Sequence, residues 1–486
     1  MSQPTKSFYA KFRMDNGPLK IWDAFIISEN KDRVDHWKGD EHPQSDAAVS
    51  AEPAPRNEFE SLAASFQNSI NIFQNTVPFI MRMLPVLLQL MDDRSVREFT
   101  RKRGVCLEKG EFETYSLSIE YLGELTRRIE RGTSIRAGVA SLPNMFLVGL
   151  VSAYDKFLSD LIRVIFMERP ELLSSSERNL SFKDLIEIGS VEAARERIID
   201  KEIETVIRKS HSEQISWLES KLNMPLTKDL DIWPDFIEIC ERRNLFTHTG
   251  GVISEQYLKI CKDHGCSLED KNIGETVVIS ARYYEHAVAV VLEFGMKLVQ
   301  VVWRKLLPED IKRAANTLNH FSYGLITKRK YKLAAKMLRF GLYEMKKHGT
   351  EAIRKMMVVN YANAEKLGGN IELSSQILDG EDWSASTDSY RICVAAVKDE
   401  IETVISLMPR VIETSTMKIE NFREWPVFET VRSDPRFVEA FERSFGQRLL
   451  AEREATKPRE REIATDIDSD PADDTSDSVP NESTLH

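Results

Sequence analysis

The sequence predicts an all-α protein: a helical bundle, then a region of helical hairpins, with a short β-like segment near the N-terminus. Three observations lead there. Apolar residues return at three- and four-residue steps through most of the chain, the period of a helix with one buried face. Two apolar stretches, residues 143–167 and 277–303, are far longer than a strand and read as core helices. Beyond Leu307 the segments shorten and recur in pairs. The chain divides into an N-terminal segment and linker (1–57), a helical connector (58–112), a helical bundle (113–307), helical repeats (308–450) and a disordered acidic tail (451–486).

Composition narrows the function classes. At 486 residues the chain has room for two or three domains, and 42% hydrophobic with 29% charged residues suits a soluble globular protein. Cys106, Cys240, Cys261, Cys266 and Cys393 are scattered and odd in number, which suits a reducing compartment better than a disulfide framework. Met1 to Ala10 has no apolar core of the signal-peptide kind, so a cytoplasmic location is expected. The net charge of −11 argues against coating nucleic acid by bulk electrostatics. Seven acidic residues between Asp466 and Glu482 account for much of it; without them the remainder stands at −4, which leaves room for a local basic groove. No P-loop, dinucleotide fingerprint or nucleophile elbow occurs, so NTPase, dehydrogenase and serine hydrolase readings are set aside.

In chain order, the turn signal Asp15-Asn16-Gly17-Pro18 precedes a β-like run, Leu19 to Ile27, which reads as a small hairpin or a docking segment. Residues 36–57, rich in Pro, Ala, Ser and acids, read as a linker. Helix begins near Glu58. Within it Val77 to Met91 is apolar but too short for a membrane span and is interrupted by Pro78, Arg82 and Pro85. A kinked helix packed on a neighbour fits it better than membrane attachment. Two basic clusters follow, Arg94 to Arg103 and Arg127 to Arg136; they suit a solvated helix face or, less simply, an RNA backbone track.

The bundle opens near Glu113. Its long apolar helix, 143–167, carries Phe146, Leu150, Ala153, Tyr154 and Phe157 on one face; residues 181–222 supply one or two more helices. Val252 to Cys261 reads as a short helix and Val277 to Trp303 as a long one. Cys261, His264 and Cys266 offer three metal ligands without a fourth at a usual spacing, so a helix end and turn is preferred to a zinc site.

In the repeat region Tyr323 to Ile326 precedes Tyr331 to Leu338, and about 38 residues later Asn360 to Ala364 precedes Leu373 to Leu378. A third pair lies in Tyr390 to Met408, and Trp425 to Phe428 with Phe437 to Phe441 form a closing cap. These pairs resemble degenerate tetratricopeptide-type repeats, which implies a surface for a protein partner.

The chemistry concentrates in one helix. Trp233, Phe236, Ile237 and Cys240 form an apolar stripe, and the same step continued meets Asn244, Thr247 and His248 before the stop at Gly250-Gly251. Polar groups that take over a buried stripe must be hydrogen-bonded or must act. Arg243 and His248 are five apart, obliquely across one end of the helix, so a cation, an amide and an imidazole are grouped where they could hold a phosphate and move a proton.

Arg243-Asn244-Leu245-Phe246-Thr247-His248 resembles the R-x4-H signature of the HEPN superfamily, in which a polar residue follows the arginine. The resemblance spans roughly residues 113–307. It implies a HEPN-like helical bundle that forms a homodimer with one composite cleft, and a metal-independent endoribonuclease without cofactors. In that scheme a ribose 2′-hydroxyl attacks the adjacent phosphate, leaving a cyclic phosphate and a free 5′-hydroxyl. His248 is then general base or acid, Arg243 holds the phosphate, Asn244 orients the imidazole or contacts the substrate, and Arg242 and Thr247 bind substrate; Glu241 could assist. Two function classes remain open. One is an RNA-cutting toxin or defence effector governed through its repeats; the other is a HEPN adaptor whose motif is inert and whose repeats scaffold a complex.

Overall fold

The computed structural model describes residues 9–14, 22–28, 57–90, 94–109, 113–173, 186–269 and 271–449. The chain is all-α, as the helical periodicity requires. It separates into two compact units: residues 1–321 with 339–353, and residues 322–338 with 354–486. The first unit thus runs past the boundary expected at 307. The linker expected at 36–57 and the tail at 451–486 lie outside the described residues, Asn57 excepted.

The first unit begins with an antiparallel pair, β1 (Tyr9–Met14) and β2 (Trp22–Ser28), where the sequence suggests a hairpin. Helix α1 (Glu58–Leu90) then runs through Pro78 and Pro85 as one element of 33 residues. The connector is helical only in part. After α2 (Arg94–Arg103) come β3 (Val105–Lys109) and β4 (Glu113–Ser116), paired antiparallel. Val105, Thr114 and Tyr115 lend these two strands β propensity, which helical periodicity alone misses. Arg101 of α2 clasps Glu113 through Nε (3.1 Å) and Nη2 (3.2 Å). Arg127 and Arg128 both pair with Glu124, so part of each basic cluster is already spent on exposed ion pairs.

Helix α3 (Leu122–Glu168) starts 21 residues before the expected position and carries Pro143 inside it. A proline removes its own N–H from the ladder and crowds the carbonyl four residues earlier, yet the helix continues through it as one element. Burial in α3 begins at Leu147, so its first half is held by helix bonds rather than by core packing. Helices α4 (Val191–Ile207), α5 (His211–Leu222), α6 (Trp233–His248), α7 (Glu255–Asp263) and α8 (Ala281–Leu306) complete the bundle. α1, α3, α6 and α8 enclose the core. Phe236 of α6 stacks on Phe294 of α8 at 4.1 Å, Phe66 of α1 meets Phe157 of α3 at 4.2 Å, and Phe59 stacks on Trp303. A side chain at Gly295 would come within 2.3 Å of the Phe66 ring, so a glycine there lets α1 and α8 close on each other. By length and composition α3 and α8 could each cross a membrane; 78% of the most apolar window of α8 is buried in the bundle against 22% for α3, and no clear membrane span emerges.

The second unit is built from helix pairs. They are α9 (Ile311–Thr327) with α10 (Tyr331–Arg339), α11 (Glu351–Leu367) with α12 (Ile371–Asp379), and α13 (Asp388–Val397) with α14 (Ile401–Glu413); α9 and α11 each begin in the first unit. One turn serves all three. A residue in the left-handed region (Arg329, Gly369, Asp399) is followed by one whose N–H reaches back five residues, Lys330 to Leu325, Asn370 to Glu365 and Glu400 to Ala395, at 2.8–2.9 Å. Lys366 bonds Asp399 at 2.7 Å and so fastens the second pair to the turn of the third. Phe422, Phe428, Phe437, Phe441 and Phe445 close the unit around α15 (Ile419–Glu424) and α16 (Pro435–Phe445), where the cap was expected.

Candidate active site

α6 carries the site. Pro234 occupies its first turn, where a missing N–H costs nothing, and Gly250 (φ 63°) and Gly251 (φ 90°) stop it. The N–H of Gly251 returns to the Leu245 carbonyl at 3.0 Å. Only glycine suits position 251: its φ is left-handed, and a Cβ there would sit 2.8 Å from the Phe246 ring. Phe236, Ile237, Ile239, Cys240 and Leu245 are buried. The polar residues fall into two sets on opposite duties.

The first set is locked. Glu238 Oε1 accepts from Arg242 Nε (2.9 Å) and Nη2 (2.6 Å), from the Tyr257 hydroxyl (2.6 Å) and from Lys271 Nζ (3.0 Å). The Tyr283 hydroxyl donates to Oε2 at 2.7 Å, and the Arg242 guanidinium lies over the Tyr283 ring at 3.9 Å. Burial opposes the charge on Glu238, but the Arg242 and Lys271 cations with the two hydroxyls outweigh it and hold the carboxyl down at about 2. Arg242, expected to contact substrate, is therefore a buried structural cation, 8% exposed and away from the cleft.

The second set opens on a cleft of about 530 Å³. Arg243, Asn244 and His248 line it together, with Asp155 of α3, His211 of α5 and Glu241 beside them. Arg243 Nη2 donates to Asp155 Oδ2 at 3.1 Å and lies 3.2 Å from His211 Nε2; that nitrogen is 3.1 Å from Asp155 Oδ1. Arg243 Nε is buried and has no partner, an unused donor on a cation. Asn244 Nδ2 donates to Glu241 Oε1 at 3.2 Å. Burial raises the Glu241 carboxyl above its ordinary value, partly offset by the Asn244 amide. His248 is the exposed last residue of the helix. Thr247 is exposed as well, and its hydroxyl is turned back on the Arg243 carbonyl at 2.9 Å, so it joins the cleft set only through the helix backbone.

Asp155 and His211 are the two cleft residues that motif reading passes over. Each left a signal. Asp155 interrupts the stripe Val151, Leu158, Ile162, whose other members are wholly buried, so a carboxylate there needs a partner. Ser210 and Glu213 form a capping box, which places His211 at the first position of α5. Neither signal says that the two meet Arg243, because 56 residues separate them.

Of the Cys261, His264 and Cys266 trio, His264 Nδ1 accepts from Trp233 Nε1 at 3.4 Å and Cys266 Sγ donates to the Pro234 carbonyl at 3.1 Å. Among the described residues no three His, Cys, Asp or Glu side chains assemble as a metal set. The cleft combines a guanidinium, an amide, two imidazoles and a carboxyl held toward its neutral form, an assembly suited to binding an oxyanion and transferring protons beside it. No family model, curated protein or solved structure matches this chain.

Proposed function

We propose that the protein is a metal-independent endoribonuclease of the HEPN type that cuts RNA to a cyclic phosphate and a 5′-hydroxyl. One observation carries the reading: Arg243, Asn244 and His248 line one cleft, and among the described residues no side-chain hydrogen bond ties them to one another. A motif that only held its own helix end together would have spent these groups internally. Here His248 takes or gives a proton, Arg243 neutralises charge that develops on the phosphate, and Asn244, backed by Glu241, positions the substrate. A second copy of the chain completes the cleft, the protein works in the cytoplasm as a toxin or defence effector, and the helix pairs of the second unit hold the protein partner that restrains or triggers it.

The rival reading, an inert HEPN adaptor, draws on a different observation. Arg243 is already engaged by Asp155 and His211, as a purely structural arginine would be. The two separate in one experiment: incubation of the intact chain and its His248→Ala variant with total RNA in EDTA. The ribonuclease reading expects cleavage by the first alone, with cyclic phosphate ends. Cleavage by neither favours the adaptor, and equal cleavage by both removes the motif from the activity.

A further inference from the structure

We propose that His211 is the second proton-transfer group of the cleft, working with His248 on the same phosphodiester; this rests on the ribonuclease reading above. Transesterification moves two protons. As the bond from O2′ to phosphorus forms, the 2′-hydroxyl proton goes to one base; as the bond from phosphorus to O5′ breaks, the departing oxygen takes a proton from one acid. No water, metal or other reactant is consumed. The attacking and departing oxygens lie on opposite sides of the phosphorus, so one side chain serves both poorly.

The cleft holds two imidazoles on different helices, His248 at the end of α6 and His211 at the start of α5, and His211 touches the arginine that binds the phosphate. The surroundings of His211 Nε2 suit a group that must exist both with and without a proton. A neutral ring accepts there from Arg243, which carries only donors. A charged ring donates from the same nitrogen to Asp155. Nε2 is thus partnered in either state and is the nitrogen that gains and loses the proton. A histidine kept only for packing has no need of a donor and an acceptor at one nitrogen. Asp155 is a positioning residue in this scheme: one oxygen orients His211, the other holds Arg243.

The test uses an oligoribonucleotide containing a site first mapped in total RNA, made in its ordinary form and with sulfur replacing the bridging 5′-oxygen. A thiolate departs without a proton, so the sulfur substrate does not need the acid. The full chain and its His211→Gln and His248→Gln variants are compared on both, with circular dichroism and melting temperature confirming the fold. Both variants are expected to cut ordinary RNA at least ~100-fold more slowly than the parent. Sulfur should restore one of them, and only one, to within about tenfold of the parent rate, which identifies that histidine as the acid and the other as the base. The proposal is overturned if His211→Gln cuts ordinary RNA within a few-fold of the parent, or if sulfur restores both variants or neither. A parent chain that cuts neither substrate overturns the ribonuclease reading itself, and the role of His211 with it.

Discussion

Arg242 and Arg243 are neighbours in sequence and opposites in situation. Arg242 points into a closed network of Glu238, Tyr257, Lys271 and Tyr283, with its charge matched and its fork filled. Arg243, about 100° round the same helix, lines an open cleft and keeps a buried donor unpaired. A buried ion pair is expensive to break because the surviving charge is stranded. Arg243 is instead half-buried in the wall of a cleft. One helix face therefore holds the bundle together while the adjacent face borders the cleft.

The comparison is sharpest if the two arginines fail in different assays. Arg243→Ala should lower RNA cleavage about 10³-fold, on the order of 4 kcal/mol in the barrier, while the melting temperature falls less than for a change at Arg242, since Asp155 keeps its His211 contact. Arg242→Met should do the reverse. It removes one of the two cations that face buried Glu238 and should cost about 3 kcal/mol of stability in denaturant titration, with cleavage per folded molecule nearly unchanged. If Arg242→Met abolished cleavage without loss of stability, the division between the faces would be wrong.

Acid sharpens the same contrast. Glu238 is held near 2, below its ordinary 4.5, so its stabilisation is fully present above about 4.5 and is lost as pH falls toward 2. Melting temperature should drop through that window, and Glu238→Gln should flatten the drop while lowering stability at neutral pH. Gly251→Ala comes next, at about 2 kcal/mol, through left-handed strain and collision with Phe246. The smallest effect belongs to Thr247→Ala. Its hydroxyl serves only its own helix, so stability should change by less than about 0.5 kcal/mol and cleavage by a few-fold at most. A larger loss of cleavage would give Thr247 the substrate contact that its orientation here does not.

Much of the architecture was legible. Helical period located α6, α8 and the helix pairs, and Gly250-Gly251 marked where α6 stops. The strand pair at 105–109 and 113–116 and the early start of α3 were not, because the first depends on cross-strand pairing and the second passes through a proline that sequence reasoning treats as a boundary. Within the site, Arg243, Asn244 and His248 were found because one helix carries them at a recognisable spacing.

The sequence by itself determined the helices, their apolar faces and the grouping of those three residues, since all depend on steps of three to five along one chain. Which way adjacent arginines would be spent was decided only by the tertiary structure. Glu238 captured Arg242 once Tyr257, Lys271 and Tyr283 closed around it, and Asp155 with His211 reached Arg243 from helices 88 and 32 residues away. Charges at such separations meet only when a packed core brings their helices together, and no local period encodes that meeting.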